Sequence, residues 1–387
     1  MTRRTAIAAP RVFDGQDWHP DSALVVNDGK VAEIVCASDL PADMSVTKVD
    51  AGFLVPGFVD LQVNGGGGVL LNDAPSVETI KRICRAHVRH GTTALLPTLI
   101  TDTPEITRKA VTAAAAAMRE SVPGCLGLHL EGPHLSEARR GAHDAQLVRP
   151  ASEVDIDAMI AAAADIGNLL VTVAPEAVSV EQVSRLVAGG VRVSLGHSAA
   201  DFAGVTALID AGVHMVTHLF NAMSPLGHRE PGMVGAALEN GGVYAGLIVD
   251  GIHVDPATIA IALRAKRGPG RIFLVTDAMA TLGSELTTFM LNGREVRRAD
   301  GRLTLEDGTL AGADIDMLSS VRLLRDVVGV SLDEALRMAA LYPAEAMGVA
   351  ETHGCLKPGS RADLLHLSDA LDLREVWIGG EMVHRSP

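Results

Sequence analysis

Between residues 54 and 280, short apolar runs alternate with longer segments whose apolar residues recur at helical spacing. Strands buried on both faces read as continuous apolar runs, whereas amphipathic helices place apolar residues three and four positions apart. The strand-like runs number eight and lie at residues 58–63, 93–98, 125–131, 169–174, 191–197, 214–219, 244–250 and 271–276. Strand and helix repeated eight times predict a closed, TIM-like (β/α)8 barrel of the α/β class.

Start and stop signals support the helical segments. Ser76 can cap one helix that Gly91 would end, and a second helical pattern follows Asp102. The alternative architecture is an open doubly wound sheet, whose first strand usually leads into a Gly-x-Gly-x-x-Gly turn. No such turn follows residues 58–63, so the barrel is the preferred prediction.

The two ends of the chain have a different pattern. Residues 5–53 alternate apolar and polar positions around turn signals at Asp14-Gly15 and Asn27-Asp28-Gly29, and the tail after Leu356 resembles them. Neither end could bury a face alone. We therefore expect residues 1–53 and 356–387 to form one small β-sandwich domain beside a barrel of residues 54–355.

An insertion interrupts the pattern after the eighth strand. Asn292-Gly293, Asp300-Gly301 and Asp307-Gly308 are dipeptides typical of hairpin turns, and they predict a further set of antiparallel strands. Helical patterns then follow at about residues 314–328 and 331–347.

Composition narrows the possible partners. Apolar residues make up 48% of the chain and aromatic residues only 3%, so the core must consist mainly of aliphatic side chains. The net charge of -14 argues against nucleic acid or an anionic membrane as the main partner. The chain contains no uncharged apolar run of about 18 residues, which is the length needed to span a bilayer. The four cysteines lie far apart and form no disulfide framework, so a cytoplasmic location is expected.

Polar side chains stand at the ends of the predicted strands, where loops begin and where barrel enzymes carry their catalytic groups. The residues at these points are Gln62, Asn64, Thr98, Glu131, Glu176, His197, His218, Asp250 and Asp277. The strand interiors are apolar, and a random distribution of polar residues would not give this pattern. A shared site at one end of the barrel is therefore predicted.

Glu131, His197 and His218 form a set of one carboxylate and two imidazoles. This set is a recognised ligand group of catalytic divalent metals, which keep one position for water. Asp277 ends the eighth strand and could exchange a proton with that water. Two plainer interpretations remain: Glu131 could cap a helix, although Pro133 after it favours a strand end, and Asp277 could cap the segment that follows it.

Several motifs resemble those of the amidohydrolase superfamily and, within it, the N-acetylglucosamine-6-phosphate deacetylase family. The matching segments are PGFVDLQVNGGGG (56–68), GLHLEGPHL (127–135), RGAH (140–143), LGHS (195–198), THLFNAMSPL (217–226), REPG (229–232), VDGIHV (249–254), VTDAM (275–279), LAGAD (310–314) and LKPGSRADL (356–364). They cover the whole barrel in the family's order. The resemblance implies hydrolysis of the acetamide of N-acetyl-D-glucosamine 6-phosphate, which releases acetate.

The resemblance also assigns roles to residues. Glu131, His197 and His218 would bind one divalent metal ion, and Asp277 would be the acid/base. The metal would be zinc, with iron, manganese and cobalt as alternatives. The residues implied to contact the phosphorylated amino sugar are Ala142, His143, Asn221, Ala222, Arg229, Asp250, Gly251, Ile252, His253, Leu310, Ala311 and Gly312.

Arg229 has a particular place in this resemblance. It would reach the phosphate from the neighbouring subunit, which implies a homodimer, and its forked, permanently charged guanidinium suits phosphate oxygens. The plainer interpretation is a surface ion pair with Glu230. His143 and His253 could likewise be ordinary loop histidines.

One departure from the superfamily pattern concerns a second metal. Most members carry His-x-His after the first strand, whereas this chain has Gln62 and Asn64 there. Neutral amides bind such metals weakly, which favours one metal per site. Two other functions stay open: a cyclic-amide or N-acyl-amino-acid hydrolase, and a non-catalytic amidohydrolase-like scaffold.

Overall fold

The N-terminal segment begins with three antiparallel strands joined at both predicted turns, and two further strands pair with the first of them in parallel. The structure is a computed structural model that describes residues 4–386, so residues 1–3 and 387 of the predicted β-domain lie outside the described residues. The strands are β1 (Arg4–Phe13), β2 (Trp18–Asn27), β3 (Lys30–Cys36), β4 (Ser45–Lys48) and β5 (Phe53–Pro56). A short 3₁₀ helix, Ala37–Asp39, follows β3.

The predicted barrel is confirmed. Its eight parallel strands coincide with the eight apolar runs, and a two-residue hairpin, β7 and β8, follows the first of them. The strands are β6 (Phe58–Val63), β7 (Gly65–Gly66), β8 (Val69–Leu70), β9 (Thr92–Ile100), β10 (Leu128–Glu131), β11 (Leu169–Val173), β12 (Arg192–Leu195), β13 (Met215–Val216), β14 (Tyr244–Leu247) and β15 (Ile272–Leu274). Neighbours pair in the order β15-β14-β13-β12-β11-β10-β9-β6. A parallel bridge between Val63 and Ala278 closes the ring, which excludes the open sheet.

Helices connect the barrel strands and cover them. They are α1 (Val77–Val88), α2 (Pro104–Arg119), α3 (Glu153–Ile166), α4 (Val180–Ala188), α5 (Phe202–Asp210), α6 (Gly232–Glu239) and α7 (Pro256–Ala265). Ser76 caps α1 as predicted, since its side chain accepts a hydrogen bond from the Thr79 amide at 3.1 Å. Alanines of α2 and α3 pack in the large apolar core around the barrel, so small side chains bring these helices close to it.

The insertion after the eighth strand is a four-stranded antiparallel sheet with the predicted dipeptides at its three turns. Its strands are β16 (Thr288–Leu291), β17 (Arg294–Ala299), β18 (Arg302–Thr304) and β19 (Leu310–Ala313). Leu291, Val296 and Leu303 pack with Met279 and Ala280, which follow the last barrel strand. The insertion therefore sits over the end of the barrel where the strands finish.

The helices after the insertion differ in one respect from the prediction. They are α8 (Met317–Leu323), which continues into a π-helical turn (Leu324–Val328), α9 (Leu332–Ala339) and α10 (Leu341–Met347). The expected single helix over 331–347 is therefore wrong, because it breaks at Ala340, where φ is -129°. Pro343 has no amide hydrogen for a helical bond to Ala339, so it is compatible only with the first turn of a new helix.

The C-terminal strands complete the sheet that the N-terminus begins. They are β20 (Leu364–Leu367), β21 (Leu373–Ile378) and β22 (Glu381–Arg385). Strand β20 pairs with β5, which unites both ends in one eight-stranded sheet. Alternate residues of β1 enter two separate apolar clusters, Ile7 in one and Ala8 in the other. The domain limits at residues 53 and 356 stay a prediction, and the shared sheet extends to Pro56. Across residues 4–386, no helix has both the length and the apolar character that crossing a membrane requires.

Candidate active site

Three side chains from three barrel strands bring their donor atoms together. Nε2 of His197 and Nε2 of His218 each lie 3.1 Å from Oε1 of Glu131 and 3.0 Å from one another. Glu131 ends β10, and the two histidines follow β12 and β13 closely. All three are at most 5% exposed. The carboxyl ends of parallel strands meet at one rim of a barrel, which explains how residues so distant in sequence converge.

The donor chemistry fits a divalent cation. Nδ1 of His197 lies 2.9 Å from the Arg139 carbonyl oxygen, so Nδ1–H donates there and Nε2 keeps its lone pair. Burial would raise the pKa of Glu131, but the hydrogen bonds and charge of His197 and His218 hold this pKa well below its usual value. An ionised carboxylate beside two imidazole nitrogens is a ligand set suited to zinc and similar metals.

His143 approaches the same group from the other side. One donor atom from each of Glu131, His143 and His197 lies within 4.8 Å of the others. Nδ1 of His143, however, lies 2.7 Å from the hydroxyl of Thr101, and its ring packs edge-on against His197 at 4.5 Å. Burial and the neighbouring His197 lower the pKa of His143 to about 3, so this ring is neutral. Nε2 of His218 lies within 3.1 Å of the donor atoms of both Glu131 and His197, and His143 lies beside this set.

Asp277 faces the same site from the end of the eighth strand. Its Oδ1 accepts a hydrogen bond of 2.6 Å from Nδ2 of Asn64. Burial, followed by the negative charge of Glu131, raises the pKa of Asp277 to about 6. A carboxyl group with such a pKa can both accept and return a proton near neutral pH.

The backbone is strained at several of these positions. His197, His218 and Asp277 have φ values of 48°, 30° and 52°, in the left-handed region that non-glycine residues rarely adopt. Ala222, four residues after His218, has φ 51°. Such conformations cost free energy and cluster at functional sites, where the surrounding structure imposes them.

A cavity of about 380 Å³ opens above these groups. It contains most of the residues that the sequence singled out, namely Asn64, Glu131, Ala142, His143, His197, His218, Asn221, Ala222, His253, Asp277, Leu310, Ala311 and Gly312. Its wall also contains residues that the sequence did not single out, namely Ile100, Ala138, Arg139, Gly141, Ile248, Met279, Leu291 and Thr309. Most of these are apolar or small and carry no chemical signature, whereas Arg139, next to the RGAH motif, could have been recognised.

Comparison with known proteins identifies the family. The model of the amidohydrolase family matches residues 53–383. The chain belongs to the amidohydrolase family. It is 42% identical to an N-acetylgalactosamine-6-phosphate deacetylase of Shewanella sp. (strain ANA-3), over 94% of this chain and 92% of the relative.

Two solved structures of amidohydrolases resemble the whole chain. The N-acetylglucosamine-6-phosphate deacetylase from Pasteurella multocida superposes with a TM-score of 0.94 at 34% identity, over 98% of this chain and 99% of that one. An Asp-to-Ala variant of the Mycobacterium smegmatis enzyme, in complex with N-acetyl-D-glucosamine 6-phosphate, gives a TM-score of 0.90 at 33% identity, over 98% and 99% of the two chains.

The two amides that replace His-x-His in this amidohydrolase each contact a carboxylate. Nε2 of Gln62 donates to Oε1 of Glu131 at 2.9 Å, and Asn64 donates to Asp277. Gln62 lies behind Glu131 rather than on the cavity wall, while Asn64 lines the cavity. Both amides are buried.

Asp250 does not line the cavity but orients a residue that does. Its Oδ1 accepts the amides of Ile252 and His253 at 2.8 Å, and its Oδ2 lies 2.6 Å from Nδ1 of His253. Of the segment 250–253, only His253 lines the cavity, whereas Gly251 is exposed and Ile252 is partly exposed. The resemblance implied substrate contacts for all four residues of the segment 250–253, and only His253 lies on the cavity wall of this subunit.

Arg229 lies outside the cavity of its own subunit. It is exposed in the loop between β13 and α6, and its side chain forms no hydrogen bond or ion pair with any residue of the described part of the chain. Glu230 instead accepts the backbone amides of Phe202 and Gly232, at 2.8 and 3.0 Å. The interpretation of Arg229 as a surface ion-pair partner of Glu230 is therefore wrong.

Proposed function

We propose that this cavity hydrolyses the acetamide of N-acetyl-D-glucosamine 6-phosphate to D-glucosamine 6-phosphate and acetate. The observation that carries the proposal is the convergence of Glu131, His197, His218 and Asp277 on one cavity. Deacetylases of such sugars are the relatives that match nearly the full chain. A cyclic-amide or N-acyl-amino-acid hydrolase is not favoured by these relatives, and packing alone would not require four converging polar groups in a non-catalytic scaffold.

Glu131, His197 and His218 would hold one divalent metal ion. Zinc suits one carboxylate and two imidazoles, and iron, manganese or cobalt could occupy the same donors. When bound, such an ion polarises a carbonyl oxygen and lowers the pKa of water. Gln62 orients Glu131 through its 2.9 Å hydrogen bond, and the Arg139 carbonyl fixes the ring of His197.

Asp277 would carry the proton through the reaction. It accepts a proton from the water that attacks the acetamide carbon and later delivers it to the sugar nitrogen as the C–N bond breaks. His143 or His253 would donate a hydrogen bond to the oxygen that gains negative charge. Nδ1 of His143 accepts from the Thr101 amide, which leaves Nε2–H of this ring as the donor. Nδ1–H of His253 donates to Asp250, so Nε2 of His253 would donate only in the imidazolium form.

The 6-phosphate would bind at Asn221, Ala222 and Arg229. Asn221 and Ala222 line the cavity, whereas Arg229 does not reach the cavity of its own subunit. A homodimer in which Arg229 enters the partner's cavity would add a guanidinium to the one that Arg139 already provides at the cavity wall. Ala142, Leu310, Ala311 and Gly312 would surround the sugar ring.

A cytoplasmic location is part of the proposal. All four cysteines are free, which suits a reducing compartment. A small phosphorylated sugar, rather than nucleic acid or membrane, would be the partner of this acidic chain.

Acetate release tests the proposal directly. Purified protein is incubated with N-acetyl-D-glucosamine 6-phosphate, with and without a chelator, and acetate is measured. We expect release that the chelator abolishes and added zinc restores. The kcat/KM for the unphosphorylated sugar should be much lower than that for the phosphorylated sugar, because the phosphate contacts position the amide. No acetate from the metal-loaded protein would refute the proposed function.

The C4 epimer is a second candidate substrate. The observation in its favour is the 42% identity to an N-acetylgalactosamine-6-phosphate deacetylase, compared with 37% identity to the N-acetylglucosamine-6-phosphate deacetylase of Mus musculus. Both substrates present the same acetamide and the same phosphate, so the proposed machinery serves either. The ratio of kcat/KM for the two epimers in one assay would decide between them.

A further inference from the structure

The side chain of Asn64 donates hydrogen bonds to one residue, Asp277. Its Nδ2 lies 2.6 Å from Oδ1 of Asp277 and 3.4 Å from the Asp277 carbonyl oxygen. Asn64 is 3% exposed, and its own Oδ1 is buried without a hydrogen-bond partner among the described residues. The side chain therefore interacts through hydrogen bonds with Asp277 alone.

The backbone fixes this pairing. The Asp277 amide donates to the Gln62 carbonyl at 3.0 Å, and the Asn64 amide donates to the Ala278 carbonyl at 2.9 Å. These bonds join the end of β6 to the segment after β15 and set the two side chains beside each other. The orientation of the amide follows from its partner, because a flipped amide would bring two oxygen atoms to 2.6 Å.

We propose that Asn64 is a positioning residue for the acid/base: its Nδ2–H holds Oδ1 of Asp277 and leaves Oδ2 as the oxygen that exchanges the proton. This inference rests on the proposed function, because it assigns Asn64 a task within the same reaction. Asn64 itself transfers no proton, and its amide is unchanged at the end of the cycle.

Filling the space would not by itself require an amide here. An apolar side chain of the same shape could occupy the position, but it could not donate a hydrogen bond to Asp277. A functional requirement for the donated N–H explains why an amide stands there.

The charges around Asp277 show why a neutral donor suits this position. Glu131 of β10 and Asp60 of β6 oppose a negative charge on Asp277, whereas His218, after β13, and His253, after β14, favour it. An N–H group favours the carboxylate without adding a further charge beside Glu131. Gln62 makes the equivalent contact with Glu131, so the amides of β6 hold both carboxylates of the site.

Asn64→Leu tests the inference because it removes the donor and keeps the approximate size of the side chain. Without the donor, the Asp277 carboxylate is no longer held in position for proton transfer, so we expect kcat to fall about 10- to 100-fold. KM should change less than about threefold, because substrate binding does not depend on this carboxylate. The lower limb of the kcat–pH profile should move up by about one pH unit, because the donated N–H favours the ionised form of Asp277 and its loss raises the pKa of this carboxyl group.

Asn72→Leu is the matched control. Asn72 is also buried and donates to a carboxylate, Asp102, at 2.9 Å, but neither residue lines the cavity. Its loss should lower thermal stability and leave both the kcat–KM relation and the pH profile as in the unmodified chain. Asn64→Asp, which keeps the shape and removes both N–H groups, serves as the second variant if Asn64→Leu does not fold.

A readout independent of turnover separates this inference from the proposed function. Carboxyl ¹³C NMR of the metal-free protein, with Asp277→Asn to assign the resonance, should show the titration of Asp277 moving to higher pH in the Asn64 variants. Unchanged kcat, pH profile and Asp277 resonance in a folded Asn64 variant would overturn the inference. If the unmodified protein released no acetate but the Asp277 resonance shifted in the Asn64 variants, the contact between Asn64 and Asp277 would stand. The proposed reaction, and with it the role of Asn64 in that reaction, would be refuted.

Discussion

Nε2 of His197 and Nε2 of His218 lie 3.0 Å apart in a buried site, and each faces the same oxygen of Glu131. Two neutral imidazoles that met through their lone pairs would repel each other, and a shared proton or a cation removes that repulsion. His197 already donates its other ring nitrogen to a carbonyl, which directs the lone pair at Nε2 towards the centre. The two imidazoles, together with the Glu131 oxygen, thus form a preorganised binding site for a proton or a cation.

Metal content distinguishes the two histidines that compete for the third ligand position. We expect His218→Ala to lose most of its bound metal after dialysis, because Nε2 of His218 is within 3.1 Å of the other two donor atoms. His143→Ala should keep about one metal per chain, since Nδ1 of His143 is engaged by Thr101. Inductively coupled plasma spectrometry provides the measurement. Loss of metal from both variants alike would make His143 a ligand.

Asp277→Asn should impair proton transfer and leave the proposed metal ligands in place. General acid–base catalysis contributes about 10²–10⁴-fold, so kcat should fall by that factor. Metal content and KM should change little, because Asp277 lies outside the cluster of three donor atoms. Steady-state kinetics and metal analysis of the same preparation check this expectation, and full turnover by this variant would remove Asp277 from the mechanism.

The fold could be predicted almost completely from the sequence, because its signals are local. Each barrel strand lies in a short, mainly apolar run, and each turn of the insertion contains Asn-Gly or Asp-Gly, whose backbone preference selects the hairpin. The error at 331–347 also has a local cause, since Pro343 interrupts an otherwise helical pattern.

The site could be predicted only in part. Glu131, His197, His218 and Asp277 were identifiable because each stands near the end of a strand, and the barrel brings such ends together. The contact between Asn64 and Asp277 joins residues 213 positions apart and depends on the closure of the ring. Leu291 and Thr309 reach the cavity because the insertion packs over it. Such contacts depend on tertiary packing and leave no signal in a single sequence.

Stability should depend on pH through the loop that follows Glu131. Asp155 completes the capping box of α3 by accepting a hydrogen bond from the amide of the N-cap residue Ser152. It also forms an ion pair with Arg149, whose two contacting nitrogens lie 2.6 Å from its oxygens. The Arg149 hydrogen bond holds the pKa of Asp155 well below its usual 3.8. A lowered carboxyl pKa contributes stability that is complete above the unfolded-state pKa and is lost as pH falls below it.

Asp155→Ala should therefore lower the free energy of unfolding by about 1–2 kcal/mol at pH 7, mainly through the lost capping hydrogen bond, since the Arg149 side chain is 42% exposed and water screens its ion pair. The difference from the unmodified chain should shrink between pH 4 and pH 3. Urea unfolding across this range provides the measurement. Asp157→Ala, on the same helix, removes a more exposed ion pair with Arg185 and should cost less than about 1 kcal/mol. Equal losses for the two variants would contradict the role of the cap.

Arg229 offers a test of assembly and catalysis together. If Arg229 acts in the partner's cavity, Arg229→Ala should raise KM for the phosphorylated substrate and lower kcat/KM about 10²-fold or more, because a buried charge-assisted contact is lost. Activity on the unphosphorylated sugar should change little.

A mixture of Arg229→Ala and Asp277→Asn subunits should regain activity after dissociation and reassociation, since one of the two cavities in a mixed dimer combines an intact Asp277 with an intact Arg229. Each variant reassociated alone is the control. A mixture no more active than the sum of the separate variants would place Arg229 outside the partner's site.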